Sequence, residues 1–318
     1  MAEPTLGVAL IALNAAARLS DCLASLDFAD EVVLIDGGST DSTVEIARAH
    51  GARVVVEPDW PGFGPQKNRA IAQLSTDWIL SLDTDEVVTP ELAASIRAAI
   101  RAPGADMYAI DRLSSFCGSW IRHGGWYPDW IPRLFRRGTA RFSDDLVHER
   151  LIHDGPAARL TGKLLHYSYE DFEAVLRKLD SYSSAGARQR HAAGQRGGFG
   201  KALGRGAWAF VRTYFLRRGF LDGRAGFMIA VFNAETVYYR FLKLGARAAG
   251  KPPRAWPAAR ATGRVQCGPP VAQHAGPSRP CPTSVPEADR HVLHPHPDLE
   301  QPPVPAMRDR EPAPPLRA

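Results

Sequence analysis

The stretch "WILSLDTDEVVTPEL" (78–92) runs from an apolar strand into Asp83, Asp85 and Glu86. Carboxylates packed this closely repel one another and lose hydration unless a cation or hydrogen bonds compensate. Thr89, Pro90 and Glu91 have a plain explanation as N-cap, first helical residue and acidic first turn. Asp83 and Asp85, one residue apart at the carboxyl end of the strand, have none. A second cluster, "DGGSTD" (36–41), is a Gly-rich turn with an Asp before it and a helix after it. Capping by Ser39, Thr40 or Asp41 needs one polar residue, and the turn supplies four. A third stretch, "GFGPQKNRA" (62–70), reads as a flexible basic turn able to touch an anionic ligand. No Walker loop is present, and no GxGxxG follows the first strand.

The elements that hold these residues read clearly. "LGVALIAL", "EVVLID", "ARVVVEP" and "WILSL" are unbroken apolar strands, and helical stretches separate them. Strand–helix–strand at this spacing implies parallel pairing with both sheet faces covered. In such a sheet ligands bind at the carboxyl ends of the strands. Asn14, Asp36 to Asp41, Glu57, Asp83 and Asp85 all fall there. The segment 101–170 has a mixed pattern with short strands around a Trp- and Gly-rich loop. Residues 171–249 read as helical and basic.

Bulk properties bound the function. Of the 26 prolines, 17 lie from Pro252 onward, a composition that buries too little apolar surface to offset chain entropy, so 250–318 is expected to be a disordered Pro/Arg/Ala-rich tail. Its four histidines are irregularly spaced, which favours solvation over metal binding. Net charge is +5, but 177–254 carries 16 Lys or Arg against 3 Asp or Glu. Four scattered cysteines make neither a disulfide framework nor a metal-ligand spacing, which fits a reducing cytoplasm. The N-terminal stretch lacks a basic n-region and reads as a core strand, not a signal peptide.

As an ordered set, the strand ending in Asn14, "VVLIDGGSTDST", "QKNRA" and "WILSLDTDE" resembles family 2 glycosyltransferases of the GT-A fold. "PRLFRRGTARFSDDLVHERL" and "LLHYSYEDFEAVLRKLDSYSSAGA" look like the subgroup that builds lipopolysaccharide cores. One position departs: Ala15 stands where the family often carries Glu. The resemblance implies an α/β, Rossmann-like GT-A fold with a mainly parallel central sheet and a C-terminal helical extension. Residues 1–100 would form the donor half, 101–170 the acceptor half and 171–249 the extension. It further implies an inverting, metal-dependent transfer of sugar from a nucleotide-diphosphate donor to a cell-envelope glycan or glycolipid. Asp83-Thr84-Asp85 looks like the DxD motif, with Asp85 as ligand of a divalent cation (Mg²⁺ or Mn²⁺) and Asp83 positioning ribose or metal-bound water. A hard cation on oxygen ligands stabilises charge developing on a diphosphate leaving group. By the same resemblance Asp36 accepts from the donor's base and Lys67 lies near base or phosphate. Asn14 and Asp41 complete the donor set.

An inverting transferase needs a carboxylate to take the acceptor hydroxyl's proton. Asp144, Asp145 and Glu149 are candidates, with Glu149 of "VHE" first and Asp145 second; all three also fit solvated surface acids. His148 fits a supporting partner. His166 fits a structural role or a reach to phosphate or metal. Arg133, Arg136 and Arg137 fit an anionic acceptor or solvent. Trp120, Trp126, Tyr127 and Trp130 fit sugar stacking or core, and their density beside "HGG" favours binding. The alternatives are transfer to a polyprenyl phosphate, or a catalytically silent nucleotide-binding scaffold. The stretch 206–244 mixes aromatics with Arg and Lys without a membrane-length apolar run. It fits a helical cap on the sheet, or a peripheral position on the anionic cytoplasmic face of the inner membrane. Nucleic acid is not expected, because no recognition motif accompanies the charge.

Overall fold

Leu6–Ala12 (β1) is buried along its whole length, as a strand covered on both faces must be. It is followed by α1 (Ala16–Ala24), β2 (Glu31–Asp36), α2 (Thr43–Ala49), β3 (Arg53–Val56), α3 (Phe63–Ala72) and β4 (Trp78–Ser81). Then come β5 (Glu86–Val88), α4 (Pro90–Arg101), β6 (Met107–Phe116), β7 (Ser119–Trp120), β8 (Asp129–Arg136), β9 (Ala140–Phe142), β10 (Leu151–His153) and β11 (Ala158–Tyr169). The extension holds α5 (Phe172–Ala192), α6 (Phe199–Val211) and α7 (Gly223–Ala248), with a π turn (Arg212–Leu216) and a 3₁₀ turn (Gly219–Asp222) between the last two. The computed structural model describes residues 2–144 and 150–248. Asp145, His148 and Glu149, with the expected tail, therefore lie outside the described residues.

The main sheet runs β3-β2-β1-β4-β8-β6-β11-β5, with β7 on β6. β1 pairs in parallel with β2 and β4, and β2 with β3. β8 enters antiparallel between β4 and β6, and β11 runs parallel to β6. Side chains alternate across the sheet with period two. Leu6, Val8 and Leu10 join Leu34, Trp78 and Leu80 under α1 and α4, while Ala9 and Ile11 join Val33, Ile35 and Ile79 under α3. The register Ala12↔Asp36 and Ala9↔Ser81 brings Asn14, Asp36 and Asp83 out at the same edge.

Thr89 caps α4 by accepting from the Leu92 amide, with Pro90 opening the helix. Its hydroxyl also donates to the Lys163 carbonyl at 2.8 Å, tying the cap to β11. The expected "GFGPQKNRA" turn is instead mostly helix: Gly62, at φ 131°, ends the loop and α3 starts at Phe63. Lys67 is thereby placed on the buried side of a helix, not in a flexible loop. In the extension, α5 and α7 pack Val175, Leu179, Ile229 and Phe232 against Phe116, Ile121, Trp126 and Tyr169. The helical cap on the sheet weighed in the sequence is thus present. Trp126 belongs to this core, which corrects the sugar-stacking reading for that residue; Trp120 stays at the surface, edge-on to Tyr167.

Candidate active site

The turn after β2 is held by its own acids. One Asp36 oxygen accepts from the Gly38 and Ser39 amides, each at 2.9 Å, and the other from the Ser39 hydroxyl at 2.5 Å. Gly37 has no room for a side chain, because a Cβ would lie 2.6 Å from the Trp60 ring. Asn14, in the left-handed region at φ 53°, accepts from the Thr40 amide and donates its own amide to Ser39 Oγ. Asp41 does the capping work at α2, accepting from the Thr43 amide and hydroxyl with one oxygen and from the Ala16 amide with the other. Burial alone would raise the Asp41 carboxyl; the bonds from Thr43 and Ala16 outweigh it and hold the group below its ordinary value. The structure therefore ties Asn14, Asp36 and Asp41 into one braced loop.

The turn after β4 is built from distant cations. Asp83 meets Lys67 Nζ at 3.0 Å and Arg133 Nη2 at 2.5 Å. The same Arg133 donates to Glu86 at 2.9 Å, and Glu86 accepts from the Asp83 amide at 3.0 Å. Arg112 lies 3.6 Å from Glu86 and pairs with Asp129 at 2.8 Å. Glu86 is 0% exposed, so its charge depends wholly on these partners. Burial works against charge on Arg133, but Asp83 and Glu86 outweigh it and push its pKa well above the ordinary arginine value. The acidic field reaches Cys22, whose thiol is pushed well up by burial and then by Glu86, Asp85 and Asp83.

Asp85 faces another way. Its Oδ2 lies 3.4 Å from His166 Nε2, and its carbonyl accepts from the Tyr167 amide. Ser114 Oγ is 3.0 Å from His166 Nδ1, which fixes the ring. Lys67 sits beneath Phe142, its Nζ 5.2 Å from the ring centroid. The neighbouring Asn68 bonds both the amide and the carbonyl of Phe142, each at 2.9 Å, anchoring the β9–β10 hairpin beside the acidic turn.

Of the residues expected at the site, the structure brings Asp83, Asp85, Lys67 and His166 together. Asp36, Asn14 and Asp41 form the adjoining loop. Arg133, weighed in the sequence as an acceptor grip or a surface residue, is the centre of the network, whereas Arg136 lies outside it and pairs with Asp106. Glu86 was read as one of the crowded acids but given no role, and Arg112 was not singled out at all. The signal for both arginines was a cation inside a strand, Arg112 in "MYAIDRLSSF" and Arg133 in "DWIPRLFR", the second strand also ending in Arg136.

A family model, Glycosyl transferase family 2, matches residues 8–157, which includes both turns and the hairpin. The chain carries a family 2 glycosyltransferase domain. The match agrees with the α/β GT-A architecture and with an enzymatic role as a glycosyltransferase. A glycosyltransferase of Rickettsia prowazekii is 28% identical over 251 residues, covering 74% of this chain and 85% of the relative. The lipopolysaccharide core biosynthesis glycosyltransferase LpsC of Rhizobium meliloti is 28% identical over 251 residues, covering 73% and 91%. Among solved structures, glucosyl-3-phosphoglycerate synthase of Mycobacterium tuberculosis, in complex with Mn²⁺, UDP and glucosyl-3-phosphoglycerate, is 29% identical with a TM-score of 0.30. That match covers 35% of this chain and 44% of the synthase, so the chain spans less than half of that protein. A score of 0.30 is too low to carry an assignment. Among the described residues no helix is long and apolar enough to cross a membrane.

Proposed function

We propose that this glycosyltransferase is inverting and metal-dependent, and that it moves a sugar from a nucleotide-diphosphate donor to a cell-envelope glycan such as lipopolysaccharide core. It would work as a peripheral protein on the cytoplasmic face of the inner membrane. The observation that carries the reading is the approach of Asp85 to His166 beside Asp83 at the carboxyl end of β4, 3.4 Å apart. Open α/β sheets place ligands at such ends.

The donor atoms suit a divalent cation. Asp85 and His166 turn an oxygen and a nitrogen towards one another, while Asp83 is engaged by Lys67 and Arg133 and ranks as a positioning residue. No group of three His, Cys, Asp or Glu converges among the described residues. The protein would thus supply one or two ligands and the donor phosphates the rest, as is usual for Mg²⁺ with phosphate substrates. When bound, the cation neutralises charge on the departing diphosphate. Asp36, Asn14 and Asp41 shape the loop that would receive base and ribose, and Asp36 keeps acceptor capacity for a base N–H because a carboxylate takes about four bonds. Lys67 adds positive charge near the phosphates. Glu149 is proposed as the general base and Asp145 as its alternative.

Thermal shift of the full chain with a panel of nucleotide sugars, with and without Mg²⁺ or Mn²⁺, tests the reading. Asp85→Ala should remove the metal-dependent stabilisation and lower transfer by at least about 100-fold while the fold survives. Wild-type turnover by folded Asp85→Ala overturns the metal assignment. Glu149→Gln should lower kcat about 100-fold with donor affinity unmoved; that pattern in Asp145→Asn instead moves the base to Asp145.

A further inference from the structure

The outward side of α6 and the turns after it form an apolar ridge with a basic border. Phe199, Leu203, Ala207 and Val211 recur every four residues, so they share one face of the helix. None is buried, and Phe199 is 67% exposed. The ridge continues through Phe215, Leu216, Phe220 and Leu221, with Leu216 62% exposed. Opposite it, Ala202, Gly206 and Ala209 pack inward, and Gly206 lets α6 approach Ala234 and Tyr238 of α7. Trp208, also exposed, extends the apolar surface around α6, and helix geometry puts Lys201, Arg205 and Arg212 on the strip beyond it. Arg217 and Arg218 follow beside the turns and Arg224 at the start of α7.

Between 199 and 227 the one acidic residue is Asp222, and it points inward. Its side chain is 7% exposed. It accepts from the Arg122 and His123 amides and sits 2.8 Å from His123 Nδ1. The Gly124 amide donates to the Arg217 carbonyl at 2.9 Å, and Gly125 lies against the Arg217 side chain. The ridge is therefore fastened to the loop between β7 and β8. β7 pairs with β6, the strand whose Ser114 fixes His166.

We propose that the ridge inserts into the interface of an anionic bilayer and so turns the acceptor half towards lipid. The inference rests on the glycosyltransferase reading and names the surface on which its acceptor lies. Charge decides the occupant. A second copy would set this arginine border against itself, whereas an anionic bilayer meets the border with opposite charge and the ridge with acyl chains. Aromatic contacts of Phe210 with Tyr214, Phe215 and Phe227 hold the ridge together from within, so it is a shaped wedge and not a row of loose side chains.

The full chain should cosediment with vesicles of phosphatidylcholine containing phosphatidylglycerol and much less with phosphatidylcholine alone. Trp208, exposed on α6, should be quenched by brominated lipid, and Trp208→Phe should lose that quenching. Leu203→Ser/Val211→Ser/Leu216→Ser should weaken partitioning by about tenfold or more through lost apolar insertion. Lys201→Glu/Arg212→Glu should weaken it chiefly at low salt. Both variants should hydrolyse soluble donor like wild type. Donor turnover without vesicle binding overturns the wedge and leaves the enzyme reading standing; vesicle binding without donor turnover does the reverse. Equal binding to neutral and anionic vesicles, or a dimer dispersed by Leu216→Ser, also overturns the proposal, the latter by giving the ridge to a second copy.

Discussion

At the end of β2, Asp36 takes its hydrogen bonds from residues two and three positions away. At the end of β4, Arg133 reaches Asp83 and Glu86 across 50 and 47 residues. The two acidic turns share a sheet edge and a composition, yet Asp36 is satisfied within its own turn, whereas Asp83 and Glu86 take their charged partners from other elements. A local turn keeps its shape whatever surrounds it, because short-range amides neutralise the acids. A turn satisfied at long range holds only while β6, β8 and α3 remain docked, so its acids report on the whole sheet. It also keeps opposite charges in balance at low dielectric, where replacing one partner has large consequences.

The sharpest way to break this comparison is Arg133→Met. Glu86 would stay buried with Arg112 as its remaining guanidinium, and Asp83 would keep its ion pair with Lys67. A stability loss of about 3 kcal/mol or more is expected by urea unfolding. Glu86→Gln added to that variant should recover part of the loss, since the orphaned charge is then gone. A loss under about 1 kcal/mol would mean that the network is dispensable and the two turns are alike after all.

Much of this was legible in the sequence for one reason: parallel strands and their helices are encoded by periodicity, which is local. The strand ends, the Thr89 cap and the acids at the end of β4 all follow from it. The partners of those acids do not. Arg133 reaches them because β8 inserts antiparallel between β4 and β6, and nothing within a short window specifies that pairing. Lys67 was readable as a cation but not as a buried one, since its cover, Phe142, comes from a hairpin anchored by Asn68. Of the aromatics beside "HGG", Trp126 misled for the same reason, being enclosed by α5 and α7 from the far end of the chain.

A middle-sized effect tests a residue that is both local and long-range. Thr89 caps α4 through Leu92 and also exchanges hydrogen bonds with the Lys163 carbonyl and amide. Thr89→Ala should cost about 2 kcal/mol, the upper end of a cap loss, because the β11 contacts go with it. Thr89→Ser keeps the hydroxyl and should stay near wild type. A loss of only a few tenths for Thr89→Ala would assign the junction with β11 to strand pairing alone.

The smallest effect sharpens the local side of the comparison through pH. Asp41 serves Thr43 with one oxygen and Ala16 with the other, so both oxygens must accept. Asparagine offers one accepting oxygen and turns an NH₂ donor towards an amide donor, so Asp41→Asn should lose about 1 kcal/mol at neutral pH. The sign of the pH dependence follows from the depressed carboxyl. A group whose folded value lies below its unfolded value stabilises the fold above the unfolded pKa, about 3.9 for Asp, and that contribution fades as pH falls through the folded value. The stability gap between wild type and Asp41→Asn should thus be constant from neutrality down to about pH 5 and close below about pH 4. Urea unfolding of both proteins along that range measures it. A gap that persists unchanged into acid would show that shape alone, without the carboxylate's charge, braces the β2 turn, and would remove the electrostatic half of its contrast with β4.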